Sequence, residues 1–479
     1  MYTEKHYWKT IYTWIKYLNY EVVHRNQQDD EIWLANKRKQ SVVVFKNGAN
    51  TTQEVRFSKE RIIDHQEDIT SYLDFEPKHF NLYIFTEKTF ADEHLDETDP
   101  IKLKVKVIRE EHQIDQLLPN FAIKQLYSRR EKQTPTFYKN RVLHNGELEK
   151  HMIKFAPVTY SLIAINVIIW LFMIVYLNHF SDIKLLDVGG LVHFNVVHGE
   201  WYRLISSIFL HYNFEHIFMN MLSLFIFGKI VESIIGSWRM LGIFIISGIF
   251  ANFASLSFNT DTVSVGASGA IFGLIGAIIV FMYLSQKYDR KLIIQLLVVI
   301  AILILLSLLM SNVNIVAHIG GFIGGALITL MGYYFHKDRN RFWIVVIIIL
   351  LLFIAAQIRL FTIKEVNIYN AIITKEMKKG NYSKADKMVD QTFKKNYADA
   401  QTYYLSGLIT SERSSKSEGM ASWKRGLDHY PDSGLLNYQL AVANRSLNDN
   451  DKAKKYIKKA VKIDPNNSDY KDLQKELSD

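Results

Sequence analysis

Cysteine is missing from all 479 residues, which excludes disulfides, thiol nucleophiles and cysteine-ligated zinc. The opening stretch, MYTEKHYWKTIYTWIKYLNY, is amphipathic and charged and has no apolar core of the signal-peptide kind. Residues 1–150 are therefore expected to stay on the cytoplasmic side. His6, His24, His65 and His79 show no metal-ligand spacing, and neither a metal nor a cofactor is expected. The net charge of +9 is not read as a nucleic-acid footprint. In a chain with long apolar runs, basic residues mark cytoplasmic loops instead.

What is present divides the chain into three parts, in keeping with its length. Residues 1–150 read as a soluble α+β domain. An opening amphipathic helix (Tyr7, Trp8, Ile11, Trp14, Ile15, Leu18) precedes strands at 20–24, 31–36 and 41–45. A helix over 51–73, strands at 81–86 and 102–108, and a helix near 112–121 follow. This order loosely resembles restriction-endonuclease-like folds, whose nuclease chemistry implies an acid-x-lysine pair on a core strand. The candidate strand, SVVVFK, carries no acid, so the domain is expected to be non-catalytic, with a regulatory or binding role.

Seven apolar runs follow, each near the length of about 20 residues that a spanning helix needs: 158–177, 214–235, 240–258, 268–284, 292–310, 315–334 and 342–360. Basic residues (Lys150 and Lys154, Lys229 and Arg239, Lys287, Arg290 and Lys291, Lys337, Arg339 and Arg341) fall in alternate connections, which places those on the cytoplasmic side. Ser268 and His318 then both begin spans entered from the outer face. Seven spans with an inside N-terminus put the C-terminus outside. The connection from 178 to 203 is long for a loop between spans, and such loops are functional or partly buried rather than idle.

Beyond about residue 364 a 34-residue period appears. Ala385, Gly419 and Ala453 share a small-residue position, Val389, Trp423 and Ile457 a packing position, and Pro431 and Pro465 a helix-ending one. The pattern resembles tetratricopeptide hairpins, closest to consensus in the third unit and weakest in the first. Such arrays form concave surfaces for protein partners.

Polar side chains inside a bilayer are costly and face a bundle interior or a water-filled cavity. Three clusters qualify: His211, His216 and Asn220 in LHYNFEHIFMN; Ser268 in VGASGAIFGLIG; and His318 in AHIGGFIGG. A hydroxyl nucleophile needs a base within hydrogen-bond reach, and a tetrahedral intermediate needs donors aimed at its oxyanion. Ser268 and His318 fill the first requirement. His216, Asn220 and the backbone N–H of Ser268 fill the second. No acid in a span is placed to orient His318, which makes this a dyad. Gly269 and Gly273, with Gly321 and Gly325, allow the two helices a close approach. Each residue alone is better explained by packing; it is the combination on three spans that points to catalysis.

GASG at 266–269, HxxxxHxxxN at 211–220 and AHIGGFIGG at 317–325, in this order, resemble the rhomboid family of intramembrane serine proteases, here of bacterial type. The resemblance covers residues 155–335 and implies Ser268 as nucleophile and His318 as general base. It also implies oxyanion stabilisation by His216, Asn220 and Ser268, with His211, Arg203, Gly266 and Phe272 in support. Tyr202 precedes Arg203 where tryptophan is common, and Phe272 stands where many members carry tyrosine, a loss expected to have a modest effect. The expected fold is a polytopic α-helical membrane protein, a rhomboid-like bundle with seven spans. Its parts are the α+β domain (1–150), a six-span core (155–335), a seventh span (342–360) and tetratricopeptide-like repeats (366–479). The expected partners are membrane-protein substrates, the lipid bilayer and proteins bound through the repeats or the N-terminal domain. A catalytically inactive rhomboid-like adaptor or chaperone is the rival reading. A transporter would need charged residues lining a path through the core, and these are missing.

Overall fold

The computed structural model describes residues 1–26, 28, 30–73, 75–89, 103–129, 132–143, 147–177, 180–285, 294, 295, 297, 298, 300–302 and 314–478. They fall into two compact units, Met1–Ala164 with Met219–Phe244 and Leu274–Val313, and Ile165–Phe218 with Ile245–Gly273 and Asn314–Asp479.

The first unit is built on a five-stranded sheet in the order β1 (Glu21–Arg25), β2 (Glu31–Asn36), β3 (Ser41–Asn47), β4 (His79–Phe85) and β5 (Leu103–Ile108). β1–β2 and β2–β3 are antiparallel, while β3–β4 and β4–β5 are parallel. Alternation along β3 explains the layers, because successive strand residues point to opposite faces. Val43 and Phe45 pack with Tyr7, Ile11 and Trp14 of the Glu4–Leu18 helix. Val42 and Val44 pack with Val55 and Ile62 of the Thr52–Asp64 helix. Val44, two residues before Lys46, is buried where an acid-x-lysine pair would place its acid. Lys46 instead donates to Ser58 Oγ at 2.9 Å.

Two expected helices differ in detail. The one over 51–73 breaks at His65 into Thr52–Asp64 and Gln66–Leu73. The one near 112–121 is a 3₁₀ segment, Glu111–Leu117, followed by a separate helix, Phe121–Ser128. Pro119 cannot continue a helical ladder, and Asn120 caps the new helix by accepting from Ile123 N at 2.9 Å.

Five helices among the described residues are long and apolar enough to cross a membrane: Pro157–Leu177, Phe214–Ile235, Ser237–Phe258, Ile315–Lys337 and Arg339–Thr362. The Ser268–Ser285 helix is apolar and shorter. Most of the span expected at 292–310 lies outside the described residues.

Glu232, near the end of the second spanning helix, caps the start of the first. Its carboxylate accepts from Val158 N at 3.0 Å, Thr159 N at 2.8 Å, Thr159 Oγ1 at 2.7 Å and Ser237 Oγ at 2.7 Å. The first N–H groups of a helix have no partner within it, and a negative charge there also suits the helix dipole. Glu232→Ala strands these donors in a buried place, where each lost partner costs about 1–3 kcal/mol. The expected result is a thermal midpoint in detergent several degrees below that of the unsubstituted chain.

In the second unit, the tail forms three helix hairpins: Ile368–Lys378 with Tyr382–Lys394, Ala400–Arg413 with Lys416–His429, and Gly434–Ser446 with Asn450–Ile463. A last helix, Ser468–Ser478, follows. The small residues of the 34-residue period, Ala385, Gly419 and Ala453, all fall on the second helix of a hairpin and are buried. A Cβ at Gly419 would overlap Ser411, so the period records a close helix approach.

Candidate active site

The long connection before Arg203 is not idle chain. It contains the short helices Asp182–Asp187, His193–Val197 and Arg203–Ser206, and buries Leu185, Leu186, Leu191, Val192, Phe194 and Val196. Arg203, 2% exposed, is its internal post. Its Nη1 donates to the carbonyls of Leu186 at 2.7 Å and Gly190 at 2.6 Å, and its other nitrogens meet Glu200. Leu191 then forms an isolated antiparallel bridge with Ser264, which joins this loop to the segment leading into Ser268.

That segment turns through Gly266, whose φ of +127° strains any side chain, while its N–H donates to Ser207 O at 2.9 Å. Ser268 follows as the first residue of its helix, so its own N–H belongs to the set without an intrahelical acceptor. His318 lies in the first turn of the Ile315–Lys337 helix, and its Nε2 is 2.9 Å from Ser268 Oγ. Phe272, one turn after the serine, stacks on the His318 ring with centroids 4.2 Å apart and planes 8° from parallel. The stack holds the imidazole in plane without needing a hydroxyl.

Glycines make that meeting sterically allowed. A Cβ on Gly321 would overlap the carbonyl oxygen of Gly269, and one on Gly325 that of Gly273. A Cβ on Gly269 would run into Ala251, and one on Gly273 into Ser247. His216 lies on the Phe214–Ser223 helix, and His211 sits in the turn before it. Their rings are 5.0 Å apart, and both residues belong with Ser268 and His318 to the second unit. His211 is fully buried and meets His216 ring to ring. Asn220 follows His216 by four residues on the same helix, is 5% exposed, and belongs to the first unit.

Two asparagines that the motifs do not single out support the site. Asn252 on the third span donates to Leu204 O at 2.8 Å and Ser207 Oγ at 3.0 Å, tying it to the Arg203 segment. Asn314 caps the His318 helix by accepting from Ala317 N at 3.0 Å, and donates to Ser255 Oγ at 2.6 Å. The cap carried a sequence signal, an asparagine directly before an apolar helical run. Asn252 carried none, because its main partner is a backbone carbonyl 48 residues away. Among the described residues, no group of three or more His, Cys, Asp or Glu is placed to hold a metal ion.

Residues 198–335 match the rhomboid domain family and residues 436–467 the tetratricopeptide repeat family. The chain is similar to the rhomboid protease GluP of Bacillus subtilis (strain 168), 32% identical over 168 residues that cover 35% of this chain and 33% of that protein. It is similar to the rhomboid protease AarA of Providencia stuartii, 31% identical over 203 residues, 36% of this chain and 71% of that protein. It is also similar to the putative rhomboid protease YdcA of Bacillus subtilis (strain 168), 36% identical over 185 residues, 37% of this chain. That last alignment takes in 90% of the relative, and on it, together with the matched domain, the chain belongs to the rhomboid family of intramembrane serine proteases.

Proposed function

We propose that this chain is an endopeptidase of the bacterial cell membrane that cuts transmembrane substrate proteins near the outer face with a Ser268–His318 dyad. The observation that carries the reading is the 2.9 Å contact between Ser268 Oγ and His318 Nε2, which is within reach for proton transfer. Ser268 attacks the scissile carbonyl while His318 takes its proton. The imidazolium then returns that proton to the leaving amine, and water resolves the acyl-enzyme. His216, Asn220 and the Ser268 N–H stabilise the oxyanion. A helical backbone shields its own carbonyls, so the substrate unwinds locally before attack.

The N-terminus lies in the cytoplasm and the C-terminus outside, an orientation supported by the basic connections. The domain boundaries of this reading are 1–150, 155–335, 342–360 and 366–479. The repeats recruit protein partners or substrates, and the N-terminal domain is regulatory. A fluorophosphonate probe applied to membranes tests the dyad. Labelling is expected in the unsubstituted chain and absent in both Ser268→Ala and His318→Ala. Labelling that persists without His318 would refute the histidine as the base.

A further inference from the structure

The first repeat hairpin is fused to the loop that Arg203 organises. Ile368, Tyr369, Ile372 and Ile373 share one hydrophobic core with Leu185, Leu186, Phe194, Val263 and Val265. The last two lie within five residues of Ser268. Polar contacts flank that core: Lys395 Nζ donates to Asp187 at 2.8 Å at its partly exposed rim, and Asn195 Nδ2 to Tyr369 OH at 3.2 Å inside it. Tyr397 reaches furthest, donating its hydroxyl to Glu200 Oε1 at 2.6 Å with its ring edge-on to Phe194 at 5.2 Å.

The repeat pattern marks Tyr397 independently. Pro431 and Pro465 stand 34 residues apart at the helix-ending position, and 34 residues before Pro431 is Tyr397. The first hairpin, which packs on the loop, has exchanged the helix-ending proline for a donor. This also explains why the first unit departs furthest from the consensus: its surface is committed to the loop.

We infer that Tyr397 is a positioning residue for the proteolytic site, acting through Glu200 and Arg203 on the segment that carries Ser268. The inference rests on the proteolytic reading above. The connection is continuous. Tyr397 holds one oxygen of Glu200, and the other meets Arg203 and accepts from Tyr202 OH at 3.1 Å. Arg203 gathers the carbonyls of Leu186 and Gly190, Leu191 pairs with Ser264, and Ser207 O takes the Gly266 N–H. Burial alone would raise the Glu200 pKa, yet hydrogen bonds from Tyr397, Arg203 and Tyr202 together with the Arg203 charge hold it below the usual glutamate range. The carboxylate is thus kept ionised opposite a buried guanidinium, which would be costly without its partner.

The full-length chain with Tyr397→Phe, reconstituted with a transmembrane substrate, tests this. The expected result is a kcat about three- to tenfold lower with KM unchanged, the scale of one hydrogen bond. Its acid limb moves to higher pH, because Glu200 loses a donor to its ionised form. Faster amide hydrogen exchange at Gly190, Leu191 and Ser264 is expected too, in a readout that needs no proteolysis. Lys395→Ala, which removes a partly exposed ion pair of the same interface, keeps the unsubstituted kcat. Unchanged exchange in Tyr397→Phe, or equal losses of kcat in the two variants, would overturn the inference. Faster exchange in a chain whose unsubstituted form gives no Ser268-dependent product would refute the proteolytic reading and leave the coupling standing.

Discussion

Ser268→Ala is expected to leave a transmembrane reporter uncut, with turnover reduced by at least about 10⁴-fold. The size follows from what remains. Without Oγ, His318 is still a proton acceptor but has no nucleophile to activate, and only the oxyanion donors are left to assist water. His318→Ala should cost a similar factor, and the double variant little more, because the two side chains act as one device. Additive losses would mean that they do not share a step. Membranes compared by proteomics extend the test to native substrates, as fragments released by the unsubstituted chain and absent from Ser268→Ala. A Ser268→Ala variant that still supports every phenotype of the intact chain would favour the inactive adaptor reading instead.

The legible part of this molecule is the part where chemistry restricts residue choice. A serine between glycines, a histidine followed by two glycine pairs and a histidine–asparagine pair one turn apart are all expensive in hydrocarbon, so they stand out from an apolar background. The β3 strand was legible for the opposite reason: buried on both faces, it reads as an unbroken run, SVVVF. The pairings of Glu232, Asn252 and Tyr397 were not legible, although the 34-residue period marks position 397. Apart from Ser237, five residues from Glu232, the partners are backbone groups or single side chains tens to nearly two hundred residues away, and no spacing rule encodes such a pairing. The break before the Phe121–Ser128 helix was written in Pro119 and Asn120.

The fused hairpin changes what a truncation means. A deletion starting at residue 370 cuts through the Ile368–Lys378 helix and uncovers Leu185, Leu186, Phe194, Val263 and Val265. Lost cleavage after such a deletion would reflect loop disorder as readily as lost recruitment. Partner binding by the repeats is better sought on the last hairpin, whose core around Ile457 lies apart from the loop's, since Leu405 and Ile409 of the second hairpin still share the loop's core.

Gly321→Ala is expected to lower cleavage by at least about 100-fold and to reduce the thermal midpoint, although it adds a single methyl group. That methyl would overlap the Gly269 carbonyl oxygen, with the Gly269 carbonyl carbon 2.8 Å away and its Cα 3.2 Å away. All three are backbone atoms, which cannot swing aside as a side chain can, so the two helices must separate. His318 is three residues from Gly321 on the same helix and moves with it. A shift of about an ångström breaks the 2.9 Å contact with Ser268, and misplacements of that size cost about 100-fold. Gly332→Ala on the same helix is the control, since nothing among the described residues lies within 4 Å of its added Cβ. There, alanine's better helix propensity, about 0.5–1 kcal/mol over glycine, should leave the midpoint equal or higher and cleavage unchanged. If Gly321→Ala and Gly332→Ala behave alike, glycine at 321 does not serve to bring His318 to the serine, and the dyad distance must be held by other contacts such as the Asn314 cap.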